Sequence, residues 1–190
     1  KDPAVKLQFT FPDLDGKPVS LADPRFEGKV VIITLAGSWC PNCHDEAAFL
    51  AQLYREHRAE GLEVVALMFE HFGDFKQAAN ATRRFRKSTG IDYVTLIAGT
   101  SDRDEAAKAL PQLTGVFAFP TTIWVDRTGV VRKVHAGFSG PATGAHYTEL
   151  TAGFTEFTRE LLAAPARGPS PASAAAAATA PSAPPVARDQ

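Results

Sequence analysis

The sequence predicts a single α/β domain with a mixed β-sheet, and three observations lead to this prediction. Two continuous apolar runs, 30–35 and 62–69, have the length and composition of strands that are buried on both faces. An amphipathic helical pattern over 41–59 lies between them, which is the order of a β-α-β unit. A pair of strands around the turn 126–129 follows, and such a hairpin adds antiparallel strands to the sheet.

The other predicted elements follow from the same kinds of pattern. They are an N-terminal hairpin with strands at 7–11 and 19–21, helices over 75–90 and 101–111, strands at 121–126 and 130–135, and a final helix over 147–161. Gly90 ends the first of these helices, and Ser101 is predicted to cap the second. Together they describe one sheet domain with strands in both directions.

A change of composition divides the chain into a domain, 1–163, and a tail, 164–190. The tail consists almost entirely of Ala, Pro, Ser, Thr and Gly and holds six of the 14 prolines. Apart from one valine it has no large apolar residue, so it has nothing to bury against the entropy of ordering. A disordered, Ala/Pro-rich tail is therefore expected.

Composition excludes several classes of function. The 190 residues carry 20 Lys and Arg against 21 Asp and Glu, and a net charge of −1 offers no basic surface to nucleic acid. No apolar run approaches the roughly 20 residues of a membrane-spanning helix. Two cysteines are too few for a disulfide scaffold, a four-cysteine zinc site or an all-cysteinyl iron–sulfur cluster. No nucleic-acid partner, membrane span or metal is expected.

The two cysteines, Cys40 and Cys43, lie where a predicted buried strand runs into a helix. Pro41 suits the first helical turn, where its missing N–H is not needed, and this places Cys40 at the helix N-terminus. Unpaired amides and the helix dipole favour a thiolate there, so Cys40 is predicted to be a nucleophile with a lowered pKa. Cys43 follows one turn later on the same face and is predicted to resolve a mixed disulfide. The redox-active pair Cys40–Cys43 then needs no other cofactor.

Two other uses of this motif stay open at the level of the sequence. Cys40-Pro-Asn-Cys43-His44 matches the pattern by which c-type haem is attached, with Met68 as a distal ligand. A buried strand that runs straight into the motif argues against haem. Without haem, Met68 is expected to be a core residue, and His44 is expected to be an exposed residue in the first turn of the helix. Two soft thiolates and a histidine would also suit Cu(I), as in a metallochaperone.

The segment Phe119-Pro120-Thr121-Thr122 opens a predicted strand. A proline at the first position of a strand loses no hydrogen bond of the sheet, which is the structural interpretation. The functional interpretation is a cis peptide bond between Phe119 and Pro120 that presents backbone atoms to the dithiol.

Taken together, these motifs resemble those of the TlpA/ResA-like thiol–disulfide oxidoreductases of bacterial envelopes, within the thioredoxin superfamily. The similarity covers about residues 5–163, and its motifs are Phe11-Pro12-Asp13-Leu14-Asp15-Gly16-Lys17, Gly28-Lys29-Val30-Val31, Trp39-Cys40-x-x-Cys43, Val64-Val65-Ala66-Leu67, Phe119-Pro120-Thr121-Thr122 and Asp126-x-x-Gly129. The resemblance implies a thioredoxin-like fold, in which helices flank a central mixed sheet. It also implies an added N-terminal β-hairpin and a central insertion between Phe69 and Pro120.

The resemblance also implies roles for the residues around the dithiol. Cys40 is expected to be exposed, Cys43 to be buried, and Pro120 to be cis and turned toward the substrate. The expected substrate contacts are Trp39, Pro41 and Phe119.

A proton acceptor for Cys43 is less evident. Many thioredoxins carry a buried Asp six residues before the first cysteine, and here that position is Thr34. Relatives of the ResA kind instead use a Glu after the second core strand, and Glu70 is the nearest match, with His71 beside it. Glu70 is therefore the candidate proton acceptor, against the alternative of a solvated strand end.

The implied function is that of a monomeric reductase of protein disulfides, in which Cys40 attacks the partner's disulfide and Cys43 releases the product. In the periplasm, or elsewhere outside the cytoplasm, it would need a membrane thiol donor for its own re-reduction. The missing initiator Met fits both a removed leader and a shortened chain, and the resemblance implies an exported protein whose precursor had a cleaved signal, a lipid anchor or a membrane anchor. A peroxiredoxin-type peroxidase is the rival within this fold, but Gly37 stands where its site has Thr.

Overall fold

The structure, a computed structural model, describes residues 6–113 and 118–165. Within them, helices flank a five-stranded mixed sheet, and a two-stranded antiparallel hairpin accompanies it. This confirms the predicted α/β class and the added N-terminal hairpin. The predicted tail lies outside the described residues from 166 onward, so its disorder stays a prediction.

The described residues form α-helices and strands that we number in chain order. They are β1 (Thr10–Pro12), β2 (Pro18–Ser20), β3 (Val30–Ala36), α1 (Pro41–His57), β4 (Leu62–Glu70), α2 (Phe75–Thr89), β5 (Val94–Thr100), α3 (Arg103–Ala109), β6 (Thr121–Val125), β7 (Val131–Ala136) and α4 (Ala145–Ala163). The central insertion expected before Pro120 thus holds α2, β5 and α3.

The sheet has the strand order β5-β4-β3-β6-β7. β3, β4 and β5 are parallel, and α1 and α2 make the crossovers that parallel neighbours require. β6 and β7 run antiparallel beside β3 as a hairpin, whose turn is closed by a 2.9 Å hydrogen bond from Gly129 N–H to the Asp126 carbonyl. β3 is buried along its whole length, as its uninterrupted apolar sequence predicts.

Both faces of the sheet are covered, because successive side chains of a strand point to opposite faces. Ile32 of β3 packs in one core with Leu50 of α1 and Phe154 of α4. The next residue, Ile33, packs in the opposite core, which contains Ala106 of α3 and the N-terminal segment. Both cysteines belong to the first of these cores.

The sequence pattern does not predict β5. This strand lies at the edge of the sheet and buries only Thr95, Leu96 and Ile97 of its own residues. Such a short buried stretch gives neither a clear alternation nor a continuous apolar run. Its extended conformation depends on pairing with the neighbouring strand β4. The two strands are parallel, and the first paired residues are Val65 of β4 and Val94 of β5.

The N-cap of α3 lies one residue after the predicted Ser101. Asp102 takes this position, and its carboxylate accepts hydrogen bonds from the backbone N–H groups of Asp104 (2.9 Å) and Glu105 (3.0 Å). The negative charge of a carboxylate is also stabilised by the helix dipole, which a serine hydroxyl is not, and this explains why Asp102 rather than Ser101 is the N-cap. α3 ends at Ala109, two residues before the predicted end.

The loops that carry Cys40 and Pro120 meet at one end of the sheet, where strands begin or terminate. β3 and β4 terminate at this end, and β6 begins there because it runs antiparallel to β3, with Leu35 paired to Thr121. The loop from β3 into α1 therefore lies beside the loop that leads into β6. A hydrogen bond from Gly137 N–H to the Pro120 carbonyl (2.7 Å) ties this second loop to the end of β7.

Candidate active site

Cys40 is the N-cap residue of α1, as predicted. Its backbone is extended (φ −97°, ψ 115°), and Pro41 is the first helical residue. The Cys40 carbonyl accepts hydrogen bonds from the N–H groups of Cys43 (3.1 Å) and His44 (3.3 Å). The backbone N–H groups of Asn42 and Cys43 also help to lower the pKa of the Cys40 thiol. The first turn of the helix therefore favours a thiolate at this position.

The two thiols are free, and a hydrogen bond joins them. The bond that the Cys43 thiol donates to the Cys40 sulfur is the main cause that lowers the pKa of Cys40 to about 6. Burial opposes this effect, while the backbone N–H groups and His44 add to it. The same bond, together with burial, raises the pKa of Cys43 far above its ordinary value. At neutral pH Cys40 is therefore mostly thiolate, and Cys43 keeps its proton.

Cys40 is buried, with only 6% of its surface exposed, so the exposed Cys40 that the resemblance implies is wrong. The loop before β6 covers it, and Sγ lies 3.4 Å from the carbonyl oxygen of Phe119. This covering residue is 79 positions away in the chain, so the sequence around Cys40 contains no sign of it. Cys43 is buried, as implied, with 1% exposed.

The predicted substrate contacts lie next to Cys40. The peptide bond between Phe119 and Pro120 is cis, as predicted. The half-buried Phe119 ring meets the Trp39 indole edge to face, with ring centroids 5.6 Å apart. Trp39 and Pro41 are exposed, whereas Pro120 is buried. The role of these residues in binding a substrate stays a prediction.

The loop before Cys40 is held against the end of β4. The Trp39 indole N–H donates to the carbonyl oxygen of Phe69 (2.9 Å). Gly37 permits this approach, since a Cβ atom there would lie 2.2 Å from the indole nitrogen and 2.8 Å from the Phe69 oxygen. The loop in this conformation has no room for the threonine of a peroxiredoxin-type site.

Glu70 lies at the end of β4 and is 1% exposed, so the alternative of a solvated strand end is wrong. Its carboxylate accepts hydrogen bonds from the Ser38 N–H (3.2 Å), the Ser38 hydroxyl (2.7 Å) and the Thr82 hydroxyl (3.1 Å). Within the described residues, none of its hydrogen bonds reaches a thiol. Glu70 thus braces the loop before Cys40 against α2, and its part in proton transfer stays a prediction.

The two histidines of this region also support the loop. His71 is exposed, stacks on the Trp39 indole with centroids 4.6 Å apart, and has Nδ1 2.7 Å from the Ser101 hydroxyl. His44 is half-buried rather than exposed, because its Nε2 lies 2.8 Å from the carbonyl oxygen of Ser38. A carbonyl oxygen only accepts hydrogen bonds, so Nε2 of His44 carries the proton.

Sequence reasoning missed a second buried carboxylate, Glu46 of α1, which is 1% exposed. It accepts hydrogen bonds from the hydroxyl of Thr34 on β3 (2.5 Å) and from that of Thr122 on β6. Burial raises the pKa of Glu46 to about 7, although the two hydroxyls partly offset this effect. Thr34, which stands where many thioredoxins have an Asp, therefore holds a carboxylate that α1 supplies.

Glu46 and the two thiols influence one another through their charges. A negative Glu46 contributes to the raised pKa of Cys43, and the Cys40 thiolate in turn contributes to the raised pKa of Glu46. The sequence contained a signal for this residue. Glu46 follows Cys43 by three positions and precedes Leu50 by four, so it lies on the buried stripe of α1. A carboxylate on such a stripe indicates a functional or strongly bonded group.

Among the described residues, no group of three or more His, Cys, Asp or Glu side chains is placed to hold a metal ion. In the same part of the chain, no helix combines the length and the apolar character that crossing a membrane requires.

Cys40 at the start of α1 and the cis-proline loop packed on it, at one edge of a mixed sheet, define a thioredoxin-fold dithiol protein. The chain belongs to the redoxin family, whose family model matches residues 2–149.

Individual relatives agree with this class. The chain is 27% identical over 131 residues to the thiol-disulfide oxidoreductase ResA of Halalkalibacterium halodurans, covering 69% of this chain and 66% of the relative. It is 30% identical over 129 residues to ResA of Bacillus subtilis, covering 68% and 64%. The chain therefore spans slightly less than two thirds of the length of these relatives. The crystal structure of a thiol:disulfide interchange protein from Chlorobium tepidum superimposes with a TM-score of 0.63 at 22% identity, over 85% of this chain and 98% of that one.

Proposed function

We propose that this protein is a thiol–disulfide oxidoreductase that reduces disulfides of other proteins. The observation that carries the proposal is the position of Cys40 at the N-terminus of α1, one turn before Cys43 and beneath the cis-proline loop. The lowered pKa of Cys40 and the raised pKa of Cys43 favour one thiolate and one protonated thiol at neutral pH, which is the state that dithiol exchange requires. The names of the ResA relatives support the same activity.

In the first step, the Cys40 thiolate attacks one sulfur of the partner's disulfide. The partner's S–S bond breaks, a mixed disulfide forms between Cys40 and one partner sulfur, and the other partner sulfur leaves as a thiolate that takes a proton from water. Because the attacking group must be a thiolate, the pKa of about 6 keeps Cys40 reactive at neutral pH.

In the second step, Cys43 attacks the Cys40 sulfur and releases the second partner thiol. Cys43 must first lose its proton, and its burial, which raises its pKa whether or not Cys40 is a free thiolate, makes a base necessary. Glu46 is the group we assign to this task, since its pKa of about 7 suits both the uptake and the release of a proton near neutral pH. The products are the Cys40–Cys43 disulfide and two partner thiols, so two electrons pass to the partner.

The oxidised protein must then be reduced by another dithiol, and we propose a membrane-bound donor in the cell envelope for this step. The direction of net transfer depends on the reduction potentials of the donor and the partner, and about 30 mV changes the balance tenfold. In an oxidising compartment, only a protein that is continually re-reduced acts as a reductase.

Reduction of insulin disulfides, with dithiothreitol as the source of electrons, tests the activity. We expect Cys40→Ser to abolish the accelerated reduction and Cys43→Ser to accumulate a mixed disulfide with insulin through Cys40. Wild-type rates in Cys40→Ser would refute the proposal. If the protein consumed hydrogen peroxide faster than it reduced insulin disulfides, the result would favour the peroxidase alternative.

A further inference from the structure

A cleft of about 420 Å³ opens beside the dithiol, between the loop before Cys40 and helix α2. We call it the α2 cleft, and the residues that matter for its chemistry are Ser38, Trp39, His71, Phe72 and Arg84. Ser38 and Trp39 immediately precede Cys40, so a polypeptide whose disulfide meets Cys40 passes close to this cleft.

The α2 cleft exposes aromatic surface. Trp39 is 37% exposed and Phe72 is 42% exposed, and they are two of the four exposed large apolar side chains in the described part of the chain. Exposed apolar side chains that gather at one place indicate an interaction surface, whereas scattered ones do not. His71 stacks on Trp39 and so fixes the outer wall of the cleft.

The same cleft has a cation available for a ligand. Arg83 is paired with Asp15 (2.9 Å), and Arg86 donates to the Tyr93 carbonyl (2.7 Å). Arg84, which stands between them in α2 and lines the cleft, makes no hydrogen bond or ion pair with the described residues. An arginine is always charged, and its planar fork matches a carboxylate in two hydrogen bonds.

The single acidic residue in the lining does not neutralise this cation. Glu70 stands behind the cleft, and its carboxylate is already bound by the backbone and side-chain donors of Ser38 and by Thr82. The cleft therefore combines an aromatic wall with one unpaired positive charge at its edge.

We propose that the α2 cleft binds an Asp or Glu side chain of the protein substrate, a few residues from the cysteine that Cys40 attacks. This inference rests on the proposed function and adds a substrate class to it: disulfides in extended segments with an acidic residue near the cysteine. Arg84 is the specificity-determining residue, and it takes no part in the exchange of sulfur bonds.

The test uses the pre-reduced full chain and two synthetic decapeptides, each linked through one cysteine to 2-mercaptoethanol. One peptide carries Glu on both sides of the cysteine and the other carries Gln at the same positions. The second-order rate constant is measured from the peptide thiol that is released, and bis(2-hydroxyethyl) disulfide serves as an uncharged reference substrate. We expect the Glu peptide to react about fivefold faster, which corresponds to about 1 kcal/mol.

Arg84→Gln should remove this preference and leave the reaction of the reference disulfide unchanged. Lys87→Gln is the matched control, because it removes the same charge from an exposed residue of α2 that does not line the cleft. The preference should survive in Lys87→Gln and disappear in about 1 M salt, where the screening length is about 3 Å.

Equal rates for the two peptides in the wild type would overturn the inference while the proposed function stands. An equal loss of preference in Arg84→Gln and Lys87→Gln would also overturn it, since the cause would then be the general charge of α2. If the protein reduced none of the three disulfides, the proposed function would fail, and the selectivity with it.

Discussion

The replacement Glu46→Gln tests the chemistry of the site most directly. Glutamine has nearly the same shape as glutamate and can still accept the hydrogen bond of a threonine hydroxyl, but it cannot take a proton from Cys43. We expect the attack of Cys40 on a disulfide to keep its rate. The release step that Cys43 performs should slow by about 10²-fold, which is the lower range for loss of a general base.

The pH dependence provides the sharper readout. In the wild type, the rate of the release step should rise with a midpoint at or slightly below pH 7. Glu46 must be ionised to act, and its pKa of about 7 in the dithiol includes a contribution from the Cys40 thiolate that the mixed disulfide lacks. In Glu46→Gln this midpoint should disappear, and the rate should rise only at alkaline pH, where Cys43 ionises unaided. Rapid mixing of the reduced protein with a peptide disulfide, followed by acid quench, separates the two steps.

The raised pKa of Glu46 also predicts how the free energy of unfolding depends on pH. The pKa of Glu46 rises from 4.5 to about 7 on folding, so the folded protein binds more protons than the unfolded chain between these values. Stability due to this group is therefore fully present below about pH 4.5 and is lost as the pH rises to 7. At about 1.4 kcal/mol per pKa unit, the loss is about 3 kcal/mol. The difference between wild type and Glu46→Gln in urea unfolding should change by about this amount from pH 4.5 to pH 8.

Two further variants test whether the pH midpoint of the release step is due to Glu46. Thr122→Val removes a hydrogen bond that lowers the pKa of Glu46, so the kinetic midpoint should move to higher pH than in the wild type. Glu70→Gln should leave the midpoint where it is, since Glu70 bonds to Ser38 and Thr82. A release step in Glu46→Gln with the wild-type rate and midpoint would refute the assignment of Glu46 as proton acceptor.

Two other predictions concern the loop and the nucleophile. Glu70→Ala leaves the Ser38 N–H without its partner and should lower the free energy of unfolding by about 1–3 kcal/mol in urea titrations. Glu70→Gln should recover part of this loss. Equal stability of the wild type and both variants would contradict the bracing role of Glu70. Cys43→Ala removes the hydrogen bond that contributes most to the lowered pKa of Cys40. The thiolate absorbance at 240 nm should then titrate well above pH 6, and an unchanged midpoint would show that the helix N-terminus alone activates Cys40.

The parts of the fold that the sequence predicts well are those whose signal is local. β3 shows a continuous apolar run, α1 begins at a proline and follows a helical period, and α2 ends at a glycine, Gly90, with a φ of +72°. β5 lacked such a signal because its neighbour β4 supplies the hydrogen bonds that make it a strand. The sequence predicts the cap of α3 one residue too early, because Ser101 and Asp102 are both good capping residues and only the backbone geometry distinguishes them.

The local sequence is sufficient to predict a dithiol at the N-terminus of a helix. Two cysteines, three positions apart at the start of a helix, place one sulfur among unpaired amides and the other one turn behind it, whatever surrounds them. Tertiary structure decided how far Cys40 is covered, because the covering residue Phe119 comes from a distant loop.

The surroundings of the two buried carboxylates likewise depend on tertiary structure. Glu46 and Glu70 are both buried, but the pKa and the task of each depend on hydroxyl groups that other elements bring to it. Thr34 of β3 and Thr122 of β6 hold Glu46, while the loop before Cys40 and α2 hold Glu70. The cost of burying a carboxylate and the bonds that offset it arise only when these segments pack together, so no local pattern along the chain contains them.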